Sequence, residues 1–109
     1  MLMDIEFIRE AVLTGNWFMS QHARVRAGKR MISDRDVIIA LMSGEIIEDY
    51  PDDPRGASCL VLGYSSEKRP VHIVCAQDLS GSIVIITVYQ PEPPKWIDKR
   101  TRGEKNDPE

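Results

Sequence analysis

The sequence predicts an α+β domain, with N-terminal helices packed on a four-stranded antiparallel β-sheet meander. Three observations lead there. Apolar residues recur at helical spacing as far as about Met42, and after Gly44 the period becomes extended. The links between the extended runs are short. A parallel crossover needs about a dozen residues, so short links force antiparallel neighbours. Residues 1–97 are expected to form this single domain, and 98–109 a flexible charged C-terminal tail.

The first helix is expected over Met1 to Leu13, with Ile5, Ile8 and Val12 on one face and Thr14-Gly15-Asn16 as its stop. Trp17 and Phe18 are expected to wedge it against the sheet. Ser20 is placed to cap a second helix over about Gln21 to Lys29, and Gly28, a poor helix residue, is a candidate for its end. Ser33 opens a third helix. Asp36 three residues on resembles a capping box, Val37, Ile38, Leu41 and Met42 form its apolar stripe, and Gly44 ends it.

Strands are expected at Glu45 to Tyr50, Ala57 to Tyr64, Val71 to Ala76 and Ser82 to Tyr89. Pro51-Asp52-Asp53-Pro54-Arg55-Gly56 is a strong turn, and Asp78 to Gly81 reads as a tight hairpin. Val71 to Cys75 and Ile83 to Ile86 are apolar on both faces, which suits central strands covered on each side. Pro91, Pro93 and Pro94 end the last strand, and Trp96 beyond them is expected to anchor the C-terminus.

The composition is that of an ordinary globular chain, 42% hydrophobic and 28% charged. A net charge of -3 and a pI near 5.4 argue against a protein coated with positive charge, but not against a local basic patch. Acidic residues gather at Glu45, Glu48, Asp49, Asp52 and Asp53, and at Glu104, Asp107 and Glu109. Cys59 and Cys75 lie in apolar runs at no zinc spacing and read as buried reduced thiols, with a disulfide between paired strands as the alternative. Asp4, Glu6 and Glu10 interrupt any signal-peptide core, and no apolar run approaches the ~20 residues of a membrane span. The expected location is the cytoplasm, with no membrane contact.

Chemistry concentrates between Phe18 and Arg30. His22, Arg24, Arg26, Lys29 and Arg30 place one imidazole and four permanent cations within nine residues. On a helix, His22, Arg26 and Lys29 or Arg30 are neighbours at three- and four-residue spacing, while Met19, Ala23, Ala27 and Met31 form the adjacent packing face. Such a row suits phosphate, because Arg donates bidentate hydrogen bonds and His exchanges a proton near neutral pH. A solvated amphipathic helix is the competing reading. His72, within an apolar strand, is either a core histidine with a satisfied hydrogen bond or a second acid/base group facing a cleft. Thr87 and Tyr89 share a strand face, where Tyr89 is either edge packing or a hydroxyl and stacking surface for a base.

No Gly-rich phosphate loop follows a strand, no Ser sits in a nucleophile elbow, and no His-x-x-x-His pair or carboxylate cluster suggests a metal. Catalysis, if any, is expected to need no metal and no cofactor, and to be built from His22, Arg26, Arg30, His72 and Tyr89.

An ordered set of segments carries a family resemblance. It comprises Ser20-x-His22-Ala23-x-x-Arg26, Ile32-Ser33, Gly44-Glu45-Ile46-Ile47-Glu48-Asp49-Tyr50-Pro51-Asp52-Asp53, Leu62-Gly63, Arg69-Pro70-Val71-His72-Ile73-Val74 and Ile86-Thr87-Val88-Tyr89-x-Pro91. Together, from about Trp17 to Trp96, it resembles the small prokaryotic family called domain of unknown function 4258. Members look like distant relatives of RelE and BrnT type toxins, α+β proteins that cut RNA. The resemblance implies a type II toxin acting as a metal-independent endoribonuclease, with RNA and a zinc-finger-type antitoxin as partners. The alternative is a non-catalytic RNA- or protein-binding module, and a homodimer through a sheet edge is open on either reading. The acidic pI departs from the basic character of a ribosome-dependent RNase.

Overall fold

A computed structural model describes residues 3–54, 56–93 and 95–103. Arg55 of the turn, Pro94, the expected helical start at Met1-Leu2 and tail residues 104–109 lie outside the described residues. The chain runs α1 (Ile5–Thr14), β1 (Trp17–Met19), α2 (Gln21–Lys29), α3 (Asp34–Ser43), β2 (Glu45–Tyr50), β3 (Ser58–Tyr64), β4 (Pro70–Gln77) and β5 (Ile83–Tyr89).

The fold is α+β, and the sheet has five strands in the order β1-β5-β4-β3-β2. Strands β2 to β5 form the expected antiparallel meander. The fifth strand corrects the expected four. Trp17, Phe18 and Met19 form it, pairing parallel with Ile83, Val84 and Ile85 at the sheet edge, and Trp17 packs against the core that holds Ile8 and Ala11 of the first helix. A three-residue strand shows no alternation, and its partner lies 66 residues away (83 minus 17).

Local chemistry sets the helix ends. The Asp4 side chain accepts from Glu6 N to cap α1, and Gly15 closes it in the left-handed region at φ 76°. Ser33 and Asp36 form the reciprocal capping box of α3. Asp36 Oδ1 also accepts from Ser66 N at 3.1 Å and from its hydroxyl at 2.8 Å, which ties α3 to the β3–β4 loop. These Ser66 bonds, aided by Ser33, lower the Asp36 carboxyl to about 2.

The buried face of α3 is Val37, Ala40 and Leu41, whereas Ile38 of the expected stripe is 37% exposed. Ala40 is there because α3 lies almost on the backbone of β3. A Cβ on Gly63 would stand 1.9 Å from the Ala40 carbonyl oxygen. Gly44 follows α3 as expected, but with extended backbone, φ -85°, and close against the Val61 side chain.

The main core lies between the helices and one sheet face. Ile8, Ala11, Ala23, Ala27, Val37, Ala40 and Leu41 pack there on Cys59, Val61, Val71, Ile73, Cys75, Ile83, Ile85 and Val88. Cys59 and Cys75 are free, buried and directly opposite each other, and the Cys59 contact, followed by burial, pushes the Cys75 thiol well up.

Leu60, Leu62 and His72 on the opposite face are also buried. Residues 95–103 fold back toward this face as a strap. Trp96 is 2% exposed and its ring meets His72 edge-on, with centroids 4.4 Å apart. The Lys99 carbonyl reaches His72, Arg100 pairs with Glu45, and Arg102 pairs with Glu48. Residues 98–103, expected as tail, are therefore docked. Exposed ion pairs are worth at most about 1 kcal/mol each, so the buried indole is the stronger anchor. Among the described residues, no helix is long and apolar enough to cross a membrane.

Candidate functional site

The part of that second face left open by the strap is a cleft of about 1040 Å³. Ser20, His22 and Arg26 line it from α2 and its cap, Tyr50 from the end of β2 and Asp53 from the turn that follows, Val74, Ile86, Thr87 and Tyr89 from the sheet, and Lys95, Trp96 and Arg102 from the strap.

Two local devices shape it. The first is a β-bulge in β5. Cys75 pairs with Ile85 while its neighbour Val74 pairs with Thr87, leaving Ile86 as the extra residue. Ile85 and Val88 stay in the helix-side core, and Ile86 and Thr87 both line the cleft. The second is the α2 N-cap. Ser20 Oγ accepts from Ala23 N at 3.0 Å and donates to the Ile86 carbonyl at 3.1 Å, while Ser20 N donates to the Ile85 carbonyl at 2.9 Å. The start of α2 is thereby fixed to the bulge, and the four-residue spacing carries both His22 and Arg26 to the same cleft.

The sequence-predicted residues divide three ways. His22, Arg26 and Tyr89 share the cleft. Arg30 lines an adjoining cleft of about 330 Å³ with Gln90, Glu92 and Pro93, and that cleft shares Arg26, Tyr89, Lys95 and Trp96 with the first. Lys29 is exposed and lines neither. Met19, Ala23 and Ala27 form the packing face of α2 as expected, but Met31 is 90% exposed.

His72 is 0% exposed and lies behind the wall. Its Nε2 meets the Lys99 carbonyl at 2.8 Å and its Nδ1 the Tyr89 hydroxyl at 3.3 Å. Burial, only partly offset by the Lys99 bond, lowers its pKa and keeps the imidazole neutral. It thus resolves as a core histidine with hydrogen-bond partners, one of which, Tyr89, faces the cleft. Its expected acid/base role is corrected for the same reason: no substrate atom can reach a ring sealed beneath Tyr89 and Trp96.

Sequence reasoning missed the far wall. Arg102 donates to Glu48 from Nε at 3.0 Å and from Nη2 at 2.8 Å, and its guanidinium carbon stands 4.7 Å from the Trp96 ring centroid. The Arg102 bond holds the Glu48 carboxyl below its usual range. Burial, with Glu48 as hydrogen-bond acceptor, pushes the Tyr50 hydroxyl up, so it stays protonated. A signal existed in Trp96, an indole costly to leave in water just ahead of a cationic run, whereas its neighbour Ile97 stays exposed.

Chemically, the cleft offers an imidazole, two guanidinium groups, an ammonium and two tyrosines against the Asp53 carboxylate. The Asp53 Oδ2 accepts from Ser58 Oγ at 2.8 Å, so it serves the turn as well. Thr87 Oγ1 is buried with no hydrogen-bond partner among the described residues. Also among the described residues, no three His, Cys, Asp or Glu side chains group as metal ligands. This pattern of fixed cations with apolar and aromatic walls suits a phosphate-bearing ligand that also has a flat base.

No curated protein and no solved structure matches the chain. The profile of the family described as Domain of unknown function (DUF4258) does match, over residues 19–90, which run from β1 through the cleft-lining strand β5. That stretch is more than half of the chain, and the protein belongs to this family.

Proposed function

We propose that the protein is an RNA-cleaving member of its family, acting as the toxin of a type II toxin–antitoxin pair. The observation that carries this reading is the convergence of His22, Arg26 and Tyr89 on one cleft above a sheet. The resemblance to RelE and BrnT type toxins supports the same direction.

In this reading His22 takes the proton from an RNA 2′-hydroxyl. The 2′-oxygen forms a bond to the adjacent phosphorus and the P–O5′ bond breaks, leaving a cyclic phosphate and a 5′-hydroxyl. The leaving oxygen takes its proton from water, because the one proton of the Tyr89 hydroxyl is directed at His72 Nδ1, and Tyr89 serves the substrate as a hydrogen-bonding or stacking partner. Arg26 and Arg30 hold the non-bridging oxygens as charge develops. His72 touches no reacting atom and positions Tyr89. An antitoxin segment would cover the cleft.

A second reading, a non-catalytic RNA-binding module, is favoured by one observation. With His72 sealed, the cleft holds a single imidazole. The two readings separate in one experiment on labelled RNA. For the nuclease, His22→Ala retains binding and loses about 10²–10⁴ in cleavage rate, the usual share of general acid–base help. Wild-type chain that binds RNA without cutting it establishes the binding module instead. Full cleavage by His22→Ala removes His22 from the mechanism.

A further inference from the structure

Lys95, Trp96 and Arg102 line the cleft, yet all three lie beyond residue 90, where the family match ends. The strap that carries them is a built element. Asp98 Oδ1 accepts from Arg100 N and Thr101 N, each at 2.8 Å, and Ile97 N donates to the Thr101 carbonyl at 2.8 Å. Gly103 N donates to the Lys95 carbonyl at 2.6 Å, and Trp96 bridges to Arg102, closing the loop.

We propose that the strap completes the ligand site, with Arg102 contacting a phosphate of the bound chain and Glu48 positioning Arg102. The proposal rests on the RNA-binding reading above and deepens it. Strand β2, which carries Glu48, and strand β5, on which α2 packs, are separated in the sheet by β3 and β4. Arg26 and Arg102 therefore approach the cleft from opposite sides and bracket whatever lies between them.

The geometry fits the role. Glu48 grips the Nε/Nη2 edge of the guanidinium and the Trp96 ring supports its plane, so orientation is fixed before a ligand arrives. Binding then orders no long side chain.

The test titrates full-length chain with a fluorescein-labelled 2′-O-methyl oligouridylate, which lacks the attacking hydroxyl, over a range of KCl concentrations. Removing one phosphate contact to a single strand lowers the slope of log affinity against log salt by about 0.7. Arg102→Gln is expected to lower the slope by that amount and to weaken binding roughly tenfold, an effect of the size expected for one charged contact. Arg102→Lys keeps the charge, so the slope stays while affinity falls with the lost fork. Glu48→Gln also keeps the slope and loses affinity. Arg35→Gln, on α3 outside the cleft, changes neither.

An unchanged slope in Arg102→Gln overturns the proposal while leaving the RNA reading intact. If that variant does not fold, unchanged affinity in Arg102→Lys overturns it. Tighter binding by Glu48→Gln overturns the positioning role, because the carboxylate then merely neutralises Arg102. No binding by wild type overturns the RNA reading and this proposal together.

Discussion

His72 Nε2 stands 2.8 Å from the carbonyl oxygen of Lys99, so a ring within the sheet is hydrogen-bonded to the C-terminal strap. A carbonyl only accepts, so Nε2 carries the proton. In the neutral ring Nδ1 is then an acceptor, and the Tyr89 hydroxyl, 3.3 Å away, donates to it. One tautomer thus joins strap, core and cleft wall.

That relationship makes stability depend on pH. Burial depresses the His72 pKa below 6.5, while Glu48 pulls it up and Arg102 pushes it down more weakly. Below about 6.5 the unfolded chain binds a proton there that the folded chain refuses. The contribution is therefore complete above about 6.5 and is lost as pH falls toward the lower folded value. Glu48 acts in a separate window, below 4.5. Thermal melts taken from about pH 8 to about pH 5 should show Tm falling with pH, and falling less in His72→Gln. Equal falls in both proteins would remove His72 as the cause.

Two glycines predict opposite outcomes for the same substitution. Gly63→Ala drives a Cβ to 1.9 Å from the Ala40 carbonyl oxygen, so α3 must shift on β3. The expected cost is about 1–3 kcal/mol by chemical denaturation. At Gly28 nothing lies within 4 Å of the new Cβ and the residue is helical, so Gly28→Ala should stabilise by about 0.5–1 kcal/mol. A neutral Gly63→Ala would mean that the helix–strand approach is looser than described.

Ser20 is both a helix cap and the tie between α2 and the β5 bulge. Ser20→Ala should cost about 1 kcal/mol of stability. It should also weaken RNA binding, because the α2 start that carries His22 and Arg26 loses its side-chain bond to the Ile86 carbonyl. Ser20→Thr, which keeps the hydroxyl, should restore most of both. Stability lost with binding untouched would show that the cap does not set the cleft.

Local chemistry wrote much of this fold directly into the sequence. The cap at Ser20, the Ser33–Asp36 box, the stop at Gly15 and the four strands of the meander depend on neighbours a few residues apart, and each was legible as a pattern. So was the pairing of His22 with Arg26, since one helix turn fixes it. Only the tertiary structure decided the rest. It paired Trp17–Met19 with Ile83–Ile85, used a bulge to bring both Ile86 and Thr87 to the cleft, and sealed His72 beneath Trp96. It also brought Arg102 to Glu48, 54 residues away in the chain. These contacts form between segments distant in sequence, and no local periodicity encodes which of them meet. The burial of a single indole outweighs the polarity of the residues around it, so a run that reads as tail becomes a wall of the site.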